Sequence, residues 1–224
     1  MRSDEEALGK EVAGSKAWDR RDPLFRKVLH IIDGPDGKKV GRAHPFSAHE
    51  RNAFFINGGL GKSFHKLSGL SGTDSPLDSR GFALLDYDRD GDQDLALINA
   101  NAPSFQLYRT ETPTKGNFVA IRLEGGARSG KEGKWSNRDA IGARVSVRTK
   151  KGRILMRALN AGEGYGIQNS KTLIVGLGEE KVVSEIVVYW PGGEVIRWHD
   201  PVKAGKVIHF VELGEGTKCE ISDY

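Results

Sequence analysis

Phe82-Ala83-Leu84-Leu85-Asp86-Tyr87-Asp88-Arg89-Asp90-Gly91-Asp92-Gln93-Asp94-Leu95-Ala96-Leu97-Ile98 decides how this 224-residue chain is read. Two short apolar arms flank a turn with aspartate at positions 1, 3, 5, 7 and 9 and glycine at position 6. The arms are too short for helices and are bounded by turn residues, so they predict strands. Carboxylates packed this closely repel one another unless a cation lies among them. Ca²⁺ takes about six to eight oxygens at roughly 2.3–2.6 Å, and alternating aspartates turn toward one centre as the backbone curls. Asp86, Asp88, Asp90 and Asp94 are therefore the expected side-chain ligands, with Asp92 supplying its carbonyl oxygen. Gly91 allows the sharp turn. An EF-hand would require glutamate at position 12, where Leu97 stands, and helices on both sides. The expectation is a strand–loop–strand Ca²⁺ site that braces a hairpin and performs no catalysis. The competing reading, a solvated acidic turn, does not account for the regular spacing.

The rest of the composition agrees with a β chain. There are 29 glycines against 8 prolines, without a collagen period, which points to many turns. No apolar run approaches the roughly 18 residues of a membrane span. The first thirty residues carry acids and bases throughout, so no secretory signal is expected. Cys219 is the single cysteine, which excludes an internal disulfide framework. The net charge of +4 is uneven: −1 over residues 1–114, +9 over 115–157 and −4 over 158–224. The basic block could attract an anionic polymer or an acidic partner, or simply form outward strand positions and a loop.

Along the chain, residues 1–48 read as an arm with helix-like stretches at Glu5–Val12 and Pro23–His30. Asp33–Lys38 is a dense turn signal. Residues 49–114 read as one four-stranded sheet the size of a propeller blade, with strands near 53–57, 82–87, 95–99 and 106–110. Residues 115–214 carry about seven further short strands, near 118–124, 143–148, 153–159, 172–176, 185–190, 194–198 and 207–211. Lys150-Lys151-Gly152 and Pro191-Gly192-Gly193 mark hairpins. This spacing predicts a β-sandwich-like module, followed by a tail at 215–224.

The stretch Phe82–Leu95 resembles an FG-GAP/VCBS repeat, the Ca²⁺-binding blade unit of integrin-type propellers. Downstream, Ser136–Val145, Ala161–Ser170, Val175–Gly178 and Val188–Gly193 resemble, in order, the ASPIC/UnbV signature. The resemblance covers residues 49–212 and is like the C-terminal end of cartilage-acidic-protein-like secreted proteins. It implies an all-β protein, a Ca²⁺-binding blade followed by an ASPIC/UnbV module, and an extracytoplasmic location, periplasmic or extracellular. The lack of a signal segment in the given chain leaves the cytoplasm open. Relatives carry several repeats that close a propeller, whereas one is recognisable here. A lone blade cannot cover its own edges and faces, so a truncated family member within a larger assembly is expected, another protein chain supplying the missing contacts.

Other motifs point to less. Gly58-Gly59-Leu60-Gly61-Lys62-Ser63 lacks the first glycine of a phosphate-binding loop and any following helix, so a β-turn is expected. His44 and His49 do not share a helical face, which disfavours a zinc site. Trp190 and Trp198 are expected to pack across a hairpin, and Glu163 in its glycine-rich turn has no acid partner for catalysis. The loop 125–138 offers Arg128, Lys131, Lys134, Trp135 and Arg138 as an alternative contact surface for a glycan or anionic polymer. One aromatic among bases is too little for nucleic acid. The expected function is a non-enzymatic, Ca²⁺-stabilised binding or assembly module. The alternatives are carbohydrate or anionic-polymer binding through that loop and, with least support, an enzyme acting on polysaccharide.

Overall fold

A computed structural model describes residues 29–33, 39–43, 51–59, 61–100, 103–111, 116–129, 135–213 and 216–224. The expected helix at Glu5–Val12, the histidines at 44 and 49, Lys131 and Lys134 lie outside them. The protein is all-β: beyond its strands, the described residues hold one single-turn helix and one 3-10 turn. The chain divides into two compact units, Met1–Arg80 with Asn99–Phe105, and Gly81–Ile98 with Gln106–Tyr224. The acidic hairpin therefore groups with the C-terminal residues, although the sequence reading separates them at 114.

In the first unit, β1 (Leu29–Asp33) pairs antiparallel with β2 (Lys39–Ala43) across the Asp33–Lys38 turn signal. Leu29 and His30 are thus strand, not the end of a helix. β3 (Phe55–Asn57) and β4 (Phe64–Lys66) form a second hairpin, followed by α1 (Ser68–Ser71). The Gly58–Ser63 segment is the turn between them, closed by Gly58 N–H to Ser63 C=O at 3.3 Å. This corrects the four-stranded blade. β5 (Ser79–Leu85), β6 (Asp94–Asn99) and β7 (Phe105–Tyr108) form a three-stranded sheet, and β3 pairs with β4 instead. A partner six residues away closes a far smaller loop than one in the acidic hairpin, so the local pairing costs less chain entropy.

The second unit contains the core. β8 (Asn117–Glu124), β9 (Arg144–Thr149), β10 (Ile154–Ala158), β11 (Leu173–Gly178), β12 (Val182–Tyr189), β13 (Val195–Trp198), β14 (Val202–Lys203), β15 (Lys206–Leu213) and β16 (Gly216–Asp223) form two sheets. One runs β10-β9-β12-β13 with β14 beside β12, and the other β11-β8-β15-β16. Alternate residues of both, among them Val119, Ile121, Val145, Val147, Val175, Leu177, Ile186, Val188, Ile208 and Phe210, are fully buried in a shared core. The period-2 pattern of β8 and β9 puts one face of each strand inside. β8 and β15 pair in parallel, with Ile121 opposite Ile208.

Residues 215–224 are no tail: β16 pairs with β15 over its full length, from Lys206–Asp223 to Leu213–Gly216. Its polar sequence hides the strand, since Cys219, opposite Phe210, is its residue packed on the core. Trp198 stands opposite Ile186 across the hairpin, and both tryptophans join the core. Trp190 is buried, and Trp198 lies edge-on to Phe210 at 6.4 Å.

Burial, and then the charges of Asp200 and Glu220, push the Cys219 thiol up to about 11. Its reaction with a disulfide reagent at pH 8 is expected to be slow in the folded protein and rapid after unfolding. The pH effect follows from the raised folded-state value. The thiol's contribution to stability is complete below the unfolded pKa near 9 and is lost as pH rises through about 11. Urea midpoints of wild type and Cys219→Ser that fall in parallel between pH 8.5 and 10.5 would contradict it.

Candidate metal centre

β5 and β6 are the arms of the acidic hairpin, and the turn between them, residues 86–93, is organised by the carboxylates of the motif. Asp86 accepts from the Asp90 N–H at Oδ1 (3.2 Å) and from the Gly91 N–H at Oδ2 (2.9 Å). Asp90 Oδ1 accepts from the Asp92 N–H at 2.9 Å. Asp94 is fully buried and accepts from Tyr87 N–H and Thr110 N–H, at 3.1 and 2.8 Å. The last bond ties the turn to the residues after β7.

Of the five expected ligands, three come together. One carboxylate oxygen each from Asp86, Asp88 and Asp94 lie within 4.8 Å of one another, a spacing that one cation about 2.4 Å from each can span. Asp90 is outside that group, its oxygen bent back to the Asp92 amide. Asp92 contributes something the sequence reading did not anticipate: its Oδ2 is buried without a hydrogen-bond partner. An orphaned buried carboxylate oxygen in the same turn as three converging carboxylates is unfavourable unless a positive charge offsets it. The donor set, oxygens only, suits a hard cation such as Ca²⁺. Arg109 lies 3.8 Å from Asp88 and offsets part of the charge from outside.

Gly91 has a second role. Its φ is +92°, and a Cβ there would lie 2.0 Å from the Phe118 ring of β8. The turn thus seats its glycine on the module. Leu84 N–H donates to Asn169 Oδ1 at 2.8 Å, and Ser170 N–H to the Leu84 carbonyl at 2.9 Å. The Tyr224 ring stands edge-on to Phe118 at 5.2 Å. Burial, and then the Asp86 carboxylate, hold the phenol well above its ordinary value. Glu163 also serves this contact: it accepts from Asn169 Nδ2 at 2.6 Å, orienting the amide that grips β5.

The basic loop is arranged differently from an open platform. Trp135 is half-buried, its ring 2.4 Å from where a Gly126 Cβ would be, and its Nε1 is buried without a partner. Arg138 is exposed and pairs with Asp139 at 3.2 Å. Nothing is described of the Arg128 side chain. The residue that organises the loop is Glu212, which sequence reasoning missed. It is buried on β15 and accepts from Gly126 N–H and Ser136 N–H at 2.8 Å each, and from Ser136 Oγ at 3.0 Å. Ser136 Oγ in turn accepts from Gly192 N–H at 3.1 Å, joining the loop to the Pro-Gly-Gly turn. The signal was present: Glu212 shares the strand parity of Ile208 and Phe210, and a charge on a core face needs partners.

No curated protein matches the chain significantly. Among solved structures, one from Bacteroides uniformis, of a protein with a proposed role in cell adhesion, is 14% identical with a TM-score of 0.27. That match covers 65% of this chain and 65% of the other, so this chain spans just under two thirds of its length. A likeness that weak carries no argument. The segment holding β9 to β15 is a different matter: residues 133–217 match the family described as ASPIC and UnbV.

Proposed function

We propose that the chain is a non-enzymatic binding module whose acidic hairpin is braced by Ca²⁺, and that it works outside the cytoplasm as a subunit of a larger assembly. The observation that carries this reading is the convergence of Asp86, Asp88 and Asp94 in the turn that also holds the partnerless Asp92 oxygen. The resemblance of this hairpin to an FG-GAP/VCBS repeat supports the choice of Ca²⁺, and millimolar extracellular Ca²⁺ suits a surface site of this kind. Bound Ca²⁺ would neutralise the mutual repulsion of the carboxylates and hold the hairpin in the shape that seats Gly91 on Phe118. For the assembly role, β3 and β4 leave Phe55 and Phe64 more than half exposed, at 53% and 66%. Apolar side chains grouped on a short hairpin mark a surface that another chain would cover.

Melting temperature with Ca²⁺ and with EDTA tests the first part. At 100 times the dissociation constant, binding adds about 2.7 kcal/mol, a rise of roughly 5–10 °C for a chain of this size. Asp88→Ala removes an exposed carboxylate with little other structural role. It is expected to abolish that rise while leaving the EDTA melting temperature within about 1 °C. Equal wild-type melting temperatures in Ca²⁺ and EDTA, or an undiminished rise in Asp88→Ala, would refute the site. Light scattering on the purified chain tests the second part, and a monodisperse monomer at high concentration would count against homo-assembly.

A further inference from the structure

We propose that the cavity between the acidic hairpin and the outer face of β8 and β11 is a binding site for a carboxylated sugar, a hexuronate. This rests on the binding-module reading above and names its ligand class. The cavity has a volume of about 230 Å³, enough for one sugar ring, and its wall is almost entirely polar. It lies wholly within the second compact unit.

Its chemistry is specific. Arg89 and Arg122 both line it, and neither guanidinium forms an ion pair among the described residues. Arg122 is outward-facing on β8, and its Nε donates to Thr172 Oγ1 at 3.1 Å, which fixes the plane of the fork and leaves its two terminal nitrogens for a ligand. Arg89 stands at φ +61°, a left-handed conformation rare for a residue with a long side chain. Strain of this kind persists where the surroundings enforce it and concentrates at binding sites. Tyr224 lines the same cavity as the two arginines. The acid in its lining, Asp86, is engaged by two backbone N–H groups.

Two guanidinium groups would suit any small anion; the remaining wall selects among anions. Ser170, Thr172 and Tyr224 present hydroxyls that can serve sugar hydroxyls as donors or acceptors. Tyr87, 47% exposed, gives an aromatic face at the rim on which a pyranose ring can rest. A phosphate could use the arginines and the hydroxyls but would leave the ring face without work, whereas a hexuronate uses all of them.

Calorimetric titration of the full chain in 2 mM Ca²⁺ with digalacturonate, its methyl ester and a neutral disaccharide tests the assignment. Digalacturonate is expected to bind, with affinity that falls as salt is raised. The methyl ester and the neutral sugar are expected to bind at least about tenfold more weakly, since each leaves the arginines unpaired. Arg122→Ala is expected to lose about tenfold or more and Arg122→Lys less, with unchanged melting temperatures. Arg89→Asn, which tolerates the left-handed backbone, gives an independent second variant. Equal binding of the neutral sugar, wild-type affinity in both arginine variants, or no binding while the Ca²⁺-dependent melting shift is intact would overturn the proposal. Loss of that shift in the wild type, measured without sugar, would instead refute the Ca²⁺ reading, so the two failures are distinguishable.

Discussion

Replacing Gly91 with alanine is expected to destabilise the protein by about 3 kcal/mol or more, measured by urea denaturation. Two costs combine. A non-glycine residue at φ +92° costs on the order of 1 kcal/mol. The new methyl would also stand 2.0 Å from an aromatic carbon of Phe118, which no rotation of a fixed Cβ relieves. Either Phe118 moves, breaking its edge contact with Tyr224, or the turn lifts off β8. A double-mutant cycle separates the costs: in a Phe118→Ala background the Gly91→Ala penalty is expected to shrink to about 1 kcal/mol, the backbone part alone. A penalty of equal size in both backgrounds would show that the turn does not rest on Phe118. The same lift would pull Asp86 and Asp88 away from the buried Asp94, so under the Ca²⁺ reading affinity for the cation is expected to fall with stability.

Truncating Glu212 to alanine is expected to cost about 4 kcal/mol, the other large effect in the molecule. Hydrogen bonds to a charged acceptor contribute roughly 1.5–3 kcal/mol each, and donors left buried without a partner add their desolvation cost. Three such bonds, from Gly126 N–H, Ser136 N–H and Ser136 Oγ, end on this one carboxylate. Glu212→Gln keeps one acceptor oxygen and turns the other into a donor facing donors, so it is expected to recover only part of the loss. Limited proteolysis gives a local readout. With Glu212 removed, the basic loop loses the anchor at both ends, and cleavage within residues 125–138 should accelerate well beyond any change in global unfolding rate. A Glu212→Ala protein within 1 kcal/mol of wild type, with an unchanged cleavage pattern, would refute the clamp.

These two positions show how the second unit is made into one body. Glu212 reaches from the core strand β15 to the loop after β8, and Gly91 seats the acidic turn on β8 itself. Asn169 completes the arrangement by accepting from Leu84 while its own amide is held by Glu163. Under the Ca²⁺ reading, cation binding at the turn and packing of the module are coupled, because the turn that gathers the carboxylates is the one docked on Phe118.

Much of the local structure was legible in the amino-acid order. Period-2 apolar runs placed β8, β9, β12 and β15, and Lys150-Lys151-Gly152 and Pro191-Gly192-Gly193 marked the turns beside them. The spacing of aspartates marked the acidic hairpin, and Asp86, Asp88 and Asp94 do converge there. These features rest on interactions between residues a few positions apart, where pleat alternation, turn sterics and repulsion between neighbouring carboxylates act without reference to the rest of the chain. Tertiary structure decided what depends on distant partners. β3 turned to β4 and not to the acidic hairpin, and β16 became a strand because β15 offered it an edge. Trp135 turned onto Gly126, Asp90 stayed out of the cluster, and Arg89 and Arg122, 33 positions apart in the chain, came to line one cavity. Whether such groups meet depends on the register of β8 against its neighbours, which the whole core selects and no short stretch of residues encodes.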